Sequence, residues 1–271
     1  HNEKNEKVKA EEYYLKALKI DGSSFYLLNN IAGFYRENSS YDKAIDYYKQ
    51  ALSVNPNNAY IYNNLAKIYF DLNNHEKAME NSFKALKMKK NDGDIQKTIS
   101  FIYLKDHDFE NGWNYYDGRL DIEDFKEKNN FIKKLNKKLY RSRILNNKKS
   151  KFLIVREQGV GDEILYSSIY EDVLRDFDNT IIECDPRLLN FYKRSFPKYR
   201  EKFVSLGTIT NDEEQFKKID NIIYAGSLGR YYRKNIKDFK NNSFLKVDEK
   251  KLEEMKRKLS IYKQKYKIGL S

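Results

Sequence analysis

The pattern of apolar and polar positions divides the chain into two parts. Through residues 1–120, small and large apolar residues recur at helical spacing, and the whole pattern repeats every 34 residues. From residue 151 onward, short apolar runs alternate with stretches of helical period. The pattern predicts an all-α array of helical repeats followed by an α/β unit with a parallel sheet.

The first part contains at least two matched units. Residues 25–58 and 59–92 align without gaps, and residues 93–126 form a third, more divergent unit. Small residues stand at the eighth and twentieth positions of each unit, where they let two helices approach closely. These residues are Ala32, Ala44, Ala66, Ala78, Ser100 and Gly112. Before these units, Ala10, Tyr14, Ala17 and Leu18 fit the second helix of an earlier unit.

This pattern resembles the tetratricopeptide repeat (TPR), which stacks into a right-handed superhelix with a concave groove lined by the first helix of each unit. The resemblance implies that the groove recruits an acceptor protein or glycan. Asparagines occupy the same two places in the first helices of two units: Asn29, Asn30, Asn63 and Asn64. Asparagine carries a donor and an acceptor, so such a ladder can hold an extended peptide backbone. These arrays look like those of O-linked N-acetylglucosamine transferases. The alternative is that asparagine is simply common in this chain.

The second part predicts short buried strands separated by helices. The strands are expected near residues 152–155, 181–184, 203–206 and 221–225, and the helices at 163–177, 187–196 and 248–265. Alternation of this kind is typical of a doubly wound parallel sheet, whose chemistry lies at the carboxyl ends of the strands.

The loop after the first predicted strand carries the candidate chemistry. Its residues are Glu157, Gln158, Gly159, Gly161, Asp162 and Glu163. One interpretation is a dinucleotide-binding turn, with Glu183 as the ribose-binding acid. Ile164 stands where that motif needs its third glycine, and its side chain would obstruct close packing of helix and strand.

The other interpretation is a family resemblance. Residues 157–163, 183–188, 194–197, 226–228 and 268–271 resemble the heptosyltransferase-like domain of bacterial repeat proteins. That domain has the GT-B fold, in which two Rossmann-like halves face a cleft. The resemblance implies that the second part of this chain is the N-terminal Rossmann-like half.

The resemblance also implies a function and roles for the loop residues. The protein would transfer a sugar from a nucleotide-sugar to a protein or glycan acceptor. Asp162 would be the base that deprotonates the acceptor hydroxyl. Gly159 and Gly161 would let the backbone pass close to the acceptor, and Glu157, Gln158 and Glu163 would hydrogen-bond sugar hydroxyls.

The nucleotide-sugar would be bound as a substrate, mainly by the second half of the fold, and no cofactor or metal is expected. Because the chain begins without methionine and stops as an apolar run starts, we expect a fragment cut at both ends, inactive by itself.

Two alternatives stay open beside the transferase. Asp162 suits the N-cap of a helix that begins at Glu163, a purely structural role. The protein as a whole fits a TPR scaffold for protein–protein interaction, with a degenerate and non-catalytic transferase domain.

The charge is unevenly distributed and refines the domain boundaries. Residues 1–120 hold 17 basic and 17 acidic side chains, residues 121–150 hold 10 and 4, and residues 151–271 hold 25 and 19. We therefore expect a TPR array over 1–120, a basic helical linker over 121–150 and the α/β domain over 151–271. The basic charge can attract phosphates, but it follows equally from a composition rich in Lys, Asn, Ile and Tyr. No aromatic–basic recognition pattern is present, so nucleic acid is not an expected partner.

Two further features limit the class of protein. A single cysteine, Cys184, excludes a disulfide framework and a multi-cysteine metal site. No apolar run approaches the roughly 20 residues that span a bilayer, so membrane insertion is not expected. A cytoplasmic setting is the expectation.

Overall fold

The computed structural model describes residues 2–122, 138–140, 145, 148–157, 159–241 and 243–260. The chain divides into two compact units, His1–Asn129 and Asn130–Ser271. Each unit is described by itself below.

The described part of the first unit is helical. In chain order its helices are α1 Asn2–Ile20, α2 Phe25–Glu37, α3 Tyr41–Val54, α4 Ala59–Asp71, α5 His75–Met88, α6 Gly93–Lys105 and α7 Phe109–Tyr116, followed by a 3₁₀ helix Asp117–Asp121. Helices α2 to α7 form three successive pairs, and α1 supplies the second helix of an earlier unit. The predicted helical repeats are confirmed.

Small residues sit where the paired helices touch. The alanines and the serine of the predicted set are fully buried. At Gly112, an added Cβ would lie 2.6 Å from Leu104 Cδ2 and 3.2 Å from the Leu104 backbone nitrogen. The helices of the third pair are therefore too close for any larger side chain at this position.

The turns inside the three repeats share one conformation. Ser39, Asn73 and His107 have φ values of 57°, 57° and 61°, and they are spaced one repeat apart. The left-handed region is uncommon for residues other than glycine, although Asn and His adopt it more readily than most. This conformation reverses the direction of the chain within a few residues. The side chains of Asn74 and Asp108 then cap the helix that follows. The repeat is thus a repeat of backbone conformation as well as of sequence.

The second unit contains a small parallel sheet. Its strands are β1 Phe152–Val155, β2 Thr180–Cys184, β3 Phe203–Ser205 and β4 Asn221–Tyr224, in the order β3-β2-β1-β4. All three pairings are parallel, with Ile154 opposite Ile182 on one side and opposite Ile223 on the other. The predicted parallel sheet is confirmed, and its carboxyl ends meet at one edge.

Helices and 3₁₀ segments connect the strands. The helices are α8 Val160–Tyr166, α9 Tyr170–Asp176, α10 Pro186–Ser195, α11 Glu213–Lys217, α12 Gly229–Tyr232 and α13 Glu249–Ser260. The 3₁₀ segments are Ser167–Ile169, Pro197–Lys202, Ala225–Leu228 and Ile236–Asp238. The core beside the sheet combines aliphatic side chains with several large aromatic ones, among them Phe152, Tyr170, Tyr192, Phe196 and Phe203.

One helix prediction was wrong in detail, and one short helix was missed. The single helix expected over 163–177 begins earlier and is interrupted by the 3₁₀ segment Ser167–Ile169. The hydroxyls of Ser167 and Ser168 donate to main-chain carbonyls three residues back, which competes with the regular helical pattern. The short helix α11 was not predicted.

Part of the predicted linker contacts the sheet. Leu139 forms a parallel bridge with Ile222 of β4, and the ammonium of Lys138 donates to the carbonyls of Phe216 and Ile219 at 2.9 and 2.6 Å. Most of the remaining residues in 121–150 lie outside the described part of the chain.

Candidate functional site

The first helices of the three repeats line a common cavity of about 440 Å³. We call it the repeat groove. Its lining residues are Arg36, Glu37, Lys67, Phe70, Asp71, Asp94, Lys97, Thr98 and Phe101. They come from α2, α4 and α6, the helices that the resemblance predicted to face a groove.

Several polar side chains of the groove are already engaged. The Lys67 ammonium lies 2.5 Å from Asp94 Oδ2, and the Asn63 amide donates to the same oxygen at 2.7 Å. Arg36 Nη1 donates to Asn64 Oδ1 at 3.2 Å. These contacts join α2 to α4 and α4 to α6, so they hold successive repeats in register.

The four predicted asparagines take different positions. Asn30 is exposed and Asn29 is partly buried, whereas Asn63 is buried and has no partner for its Oδ1 among the described residues. Asn64 is partly buried and accepts from Arg36. None of the four is among the described residues that line the cavity. The peptide ladder stays a prediction, with Asn30 offering the most accessible amide.

Two aromatic residues of the groove were missed by sequence reasoning. The Phe101 side chain is 39% exposed, although it is large and apolar. Lys97 Nζ lies 5.6 Å from the centre of the Phe101 ring, and Lys105 Nζ lies 4.8 Å from that of Phe70. Both phenylalanines are on first helices, and that location was the available signal.

The second candidate site is the carboxyl edge of the sheet. Glu157 follows β1 and is buried, and its Oε1 accepts a hydrogen bond from the Gly226 amide at 2.7 Å. Gly226 follows β4, so the Glu157 carboxylate ties together the loops after two neighbouring strands.

Glu163 lies in the first turns of α8 and is 0% exposed. Its two carboxylate oxygens lie 3.1 and 3.2 Å from the Asp185 amide nitrogen, and Oε2 lies 3.5 Å from Arg156 Nε. Burial raises the pKa of Glu163 to about 7, against the lowering effects of these contacts. The side chain joins α8 to the loop after β2.

Asp185 is the other carboxylate of this cluster. It accepts from Arg156 Nη1 at 2.6 Å and from Arg187 Nε at 2.8 Å. The Arg187 side chain is the largest cause that holds the pKa of Asp185 well below its ordinary value. Asp185 also caps α10 through the Arg187 amide, so it is an ionised structural group.

Glu183 belongs to β2 and is fully buried. Its Oε1 accepts from the amides of Ile209 and Thr210 at 2.5 and 2.9 Å, and its Oε2 accepts from the Thr210 hydroxyl at 2.8 Å. These bonds order the turn after β3. They also occupy the carboxylate that the dinucleotide interpretation needs for a ribose.

Asp162 differs from the other acids at this edge. It is exposed in the first turn of α8 and makes no hydrogen bond or ion pair within the described part of the chain. The helix begins at Val160 with Gly159 as its N-cap residue, so the expected capping role of Asp162 is wrong. A Cβ added at Gly161 would meet nothing within 4 Å. Gln158 lies outside the described residues.

Two family models match the repeats. A TPR repeat model matches residues 34–73, and a tetratricopeptide repeat model matches residues 59–92. The N-terminal part of the chain therefore contains tetratricopeptide repeats, a class of helical repeat that suggests protein–protein interaction.

Several solved structures align with part of this chain. A structure from a functional study of Pseudomonas aeruginosa PilF is 25% identical with a TM-score of 0.37, and the match covers 40% of this chain and 50% of that one. A crystal structure of MamA is 22% identical with a TM-score of 0.39, covering 45% and 67%. A chain of the APC/C hetero-tetramer Cut9–Hcn1 is 18% identical with a TM-score of 0.40, covering 43% and 22%. The chain thus spans half the length of the PilF structure.

No curated protein matches this chain in sequence. Among the described residues, no helix is both long enough and apolar enough to cross a membrane.

Proposed function

We propose that this protein binds a segment of a partner protein in the repeat groove. One observation carries the proposal: three successive first helices contribute to a single cavity that contains an exposed aromatic ring. Cavities of a few hundred Å³ with apolar walls and a few polar groups are typical of ligand sites. The matching TPR models support the same function.

The test removes the ring and leaves the helix intact. Wild-type protein and a Phe101→Ala variant are applied to an array of random peptides, and binding is quantified by fluorescence. We expect the variant to lose about tenfold in affinity for the peptides that the wild type selects, since aromatic anchors dominate such interfaces.

A matched control variant is Phe83→Ala. Phe83 is 38% exposed, close to the 39% of Phe101, but it lies on the second helix α5 and outside the groove lining. Its loss should leave peptide binding unchanged. Equal effects of the two substitutions, or no peptide selected by the wild type, would contradict groove binding.

A second candidate function is sugar transfer at the carboxyl edge of the sheet. The observation that favours it is Asp162, an exposed carboxylate without a partner among the described residues, beside the open space at Gly161. The resemblance to heptosyltransferase-like domains assigns this position to the base.

The proposed reaction uses a nucleotide-sugar as donor. The acceptor hydroxyl would give its proton to the Asp162 carboxylate while its oxygen forms the new glycosidic bond, and the bond from the sugar to the nucleoside diphosphate would break. Gly159 and Gly161 would let the acceptor approach the backbone. Glu157 and Glu163 already accept hydrogen bonds from backbone amides, and sugar hydroxyls would have to displace these bonds. We therefore assign the two residues to fixing the positions of the loops.

The test measures release of nucleoside diphosphate from a panel of nucleotide-sugars. We expect Asp162→Asn to lower turnover about 100-fold or more, the usual effect of losing a general base. The control is Asp178→Asn, an exposed residue before β2 at the opposite edge of the sheet. Wild-type turnover that Asp162→Asn leaves unchanged would exclude Asp162 as the base, and absence of wild-type turnover would leave the binding function alone.

A further inference from the structure

The charged side chains of the repeat groove differ in whether they already contact another side chain. Among its cations, Lys67 is paired with Asp94, and Arg36 donates to Asn64. Lys97 lies over the Phe101 ring. Lys67 is thus compensated by an acid, whereas Arg36 and Lys97 are held in place by neutral groups and keep their positive charge.

Two acidic side chains of the groove have no partner within the described part of the chain. Glu37 and Asp71 are exposed, and within the described part of the chain neither makes an ion pair or a side-chain hydrogen bond. They stand one repeat apart, at the last residues of α2 and α4. Both line the cavity, so a ligand in the groove meets two carboxylates that are free to accept its donors.

The carboxylates and the most exposed ring lie at different places along the array. Glu37 and Asp71 belong to the first and second matched units, whereas Phe101 belongs to the third. Lys97, beside Phe101, would repel a cation of the ligand at that end. A bound segment would then place its cations toward α2 and α4 and an apolar side chain against α6.

The charge of the surrounding repeats does not oppose such a ligand. Residues 1–120 carry equal numbers of basic and acidic side chains, 17 of each, although the whole chain has a net charge of +12. The long-range field of the repeat region is thus close to neutral, and the charged side chains that line each end of the groove decide which charge is attracted there.

We propose that the repeat groove selects a basic peptide segment, with Lys or Arg side chains at Glu37 and Asp71 and an aromatic or large aliphatic side chain at Phe101. This inference rests on the proposed binding function of the groove. The occupant is an unfolded or terminal segment of a partner protein, because the cavity of about 440 Å³ holds a few side chains.

The experiment uses the complete chain and three fluorescein-labelled peptides of equal length. The first carries two lysines and a phenylalanine, the second has both lysines replaced by glutamate, and the third has the phenylalanine replaced by alanine. Fluorescence polarisation measures each dissociation constant. We expect the first peptide to bind about tenfold more tightly than either of the others.

A double variant, Glu37→Gln with Asp71→Asn, tests the contact residues. It should weaken binding of the first peptide about tenfold and leave the second peptide unaffected or slightly improved. The control is Asp46→Asn with Glu76→Gln, a pair of exposed acids on the second helices α3 and α5. Circular dichroism of both double variants verifies that the repeats remain folded.

The outcomes distinguish selection of a basic peptide from peptide binding in the groove as such. Tighter binding of the acidic peptide, or equal effects of the two double variants, overturns the charge selection. If Phe101→Ala still weakens binding in that case, the groove function stands. If none of the three peptides binds while the protein is folded, or if binding is unaffected by Phe101→Ala, the groove function itself is overturned.

Discussion

Three glutamates at the carboxyl edge of the sheet show how buried charge is used in this protein. Glu157, Glu163 and Glu183 are all buried, and each accepts a main-chain amide from a loop that follows a different strand or helix. A buried carboxylate is costly unless donors surround it. Short loops leave backbone amides without partners in a helix or sheet. The buried carboxylates accept hydrogen bonds from these amides, so both groups are satisfied.

Glu163 makes the free energy of unfolding depend on pH. Its pKa rises from the ordinary 4.5 to about 7 in the folded protein, chiefly because of burial. The folded state therefore keeps the proton over a range where the unfolded chain has released it. We predict that the contribution of Glu163 to the free energy of unfolding is fully present below pH 4.5 and that this contribution, up to about 3 kcal/mol, is lost as the pH rises through about 7.

The measurement is urea unfolding as a function of pH for wild type and Glu163→Gln. The amide carries no titrating proton, so the variant should lack this component of the slope. Glu171→Gln changes an exposed glutamate of α9 and should retain it. Identical pH profiles for wild type and Glu163→Gln would refute the assignment.

Helix packing in the third repeat depends on glycines. A Cβ added at Gly93, the first residue of α6, would lie 2.3 Å from the Gly118 carbonyl oxygen in the 3₁₀ helix Asp117–Asp121. A Cβ at Gly118 would lie 2.5 Å from Gln96 Cβ. The 3₁₀ helix thus packs on α6 through a contact of backbone against backbone.

We predict that Gly93→Ala lowers the free energy of unfolding by about 1–3 kcal/mol, because overpacking against a backbone carbonyl forces the helix and the 3₁₀ segment apart. Thermal unfolding followed by circular dichroism measures the effect. Gly33→Ala in α2 is the matched substitution, since its Cβ would meet only the Tyr48 hydroxyl, at 3.9 Å. Alanine there should be neutral or stabilising by up to about 1 kcal/mol. A destabilisation by Gly33→Ala as large as that by Gly93→Ala would be inconsistent with this explanation.

The whole chain combines two kinds of folding unit. The described core clusters of the first unit draw all their members from residues between Tyr14 and Tyr115. Stacked repeats gain stability from contacts with adjacent repeats. The parallel sheet of the second unit instead depends on pairing between distant segments, such as β1 with β4.

We predict that residues 1–129, produced alone, fold into the same helices. The expected result is a helical circular dichroism spectrum and cooperative thermal unfolding. Shortening the fragment to residues 1–92 removes α6 and α7 and should lower the unfolding midpoint, since one interface between repeats is lost. A disordered spectrum for residues 1–129 would show that the repeats need the second unit.

Several features were accessible from the sequence for physical reasons. The 34-residue period predicted the helix pairs, because side chains that face one core must recur at the helical spacing. Short apolar runs predicted the strands, because a parallel sheet is buried on both faces. The start of α8 and the existence of α11 were not predicted, because a few capping and hydrogen-bond contacts determine such short helices.

The candidate sites were only partly accessible. The sequence located the first helices and the loop after β1, and the family resemblance singled out Asp162 as the base, but neither showed that Glu157 and Glu163 are buried and hydrogen-bonded to backbone amides. All three are acids in one short segment of the sequence, and only their contacts distinguish an exposed carboxylate from two that hold backbone amides. The sequence also did not show that Phe101 is exposed, because its exposure depends on the neighbouring helices.

The order of helices and strands was therefore determined by the chain alone, since local spacing and turn chemistry specify it. The tertiary structure decided which side chains of one type are available to a ligand. Exposure, ion pairing and pKa arise from residues that are distant in sequence, as in the contacts of Arg36 with Asn64 and of Glu163 with Asp185. These contacts leave Glu37, Asp71 and Asp162 accessible, and the proposed functions depend on that accessibility.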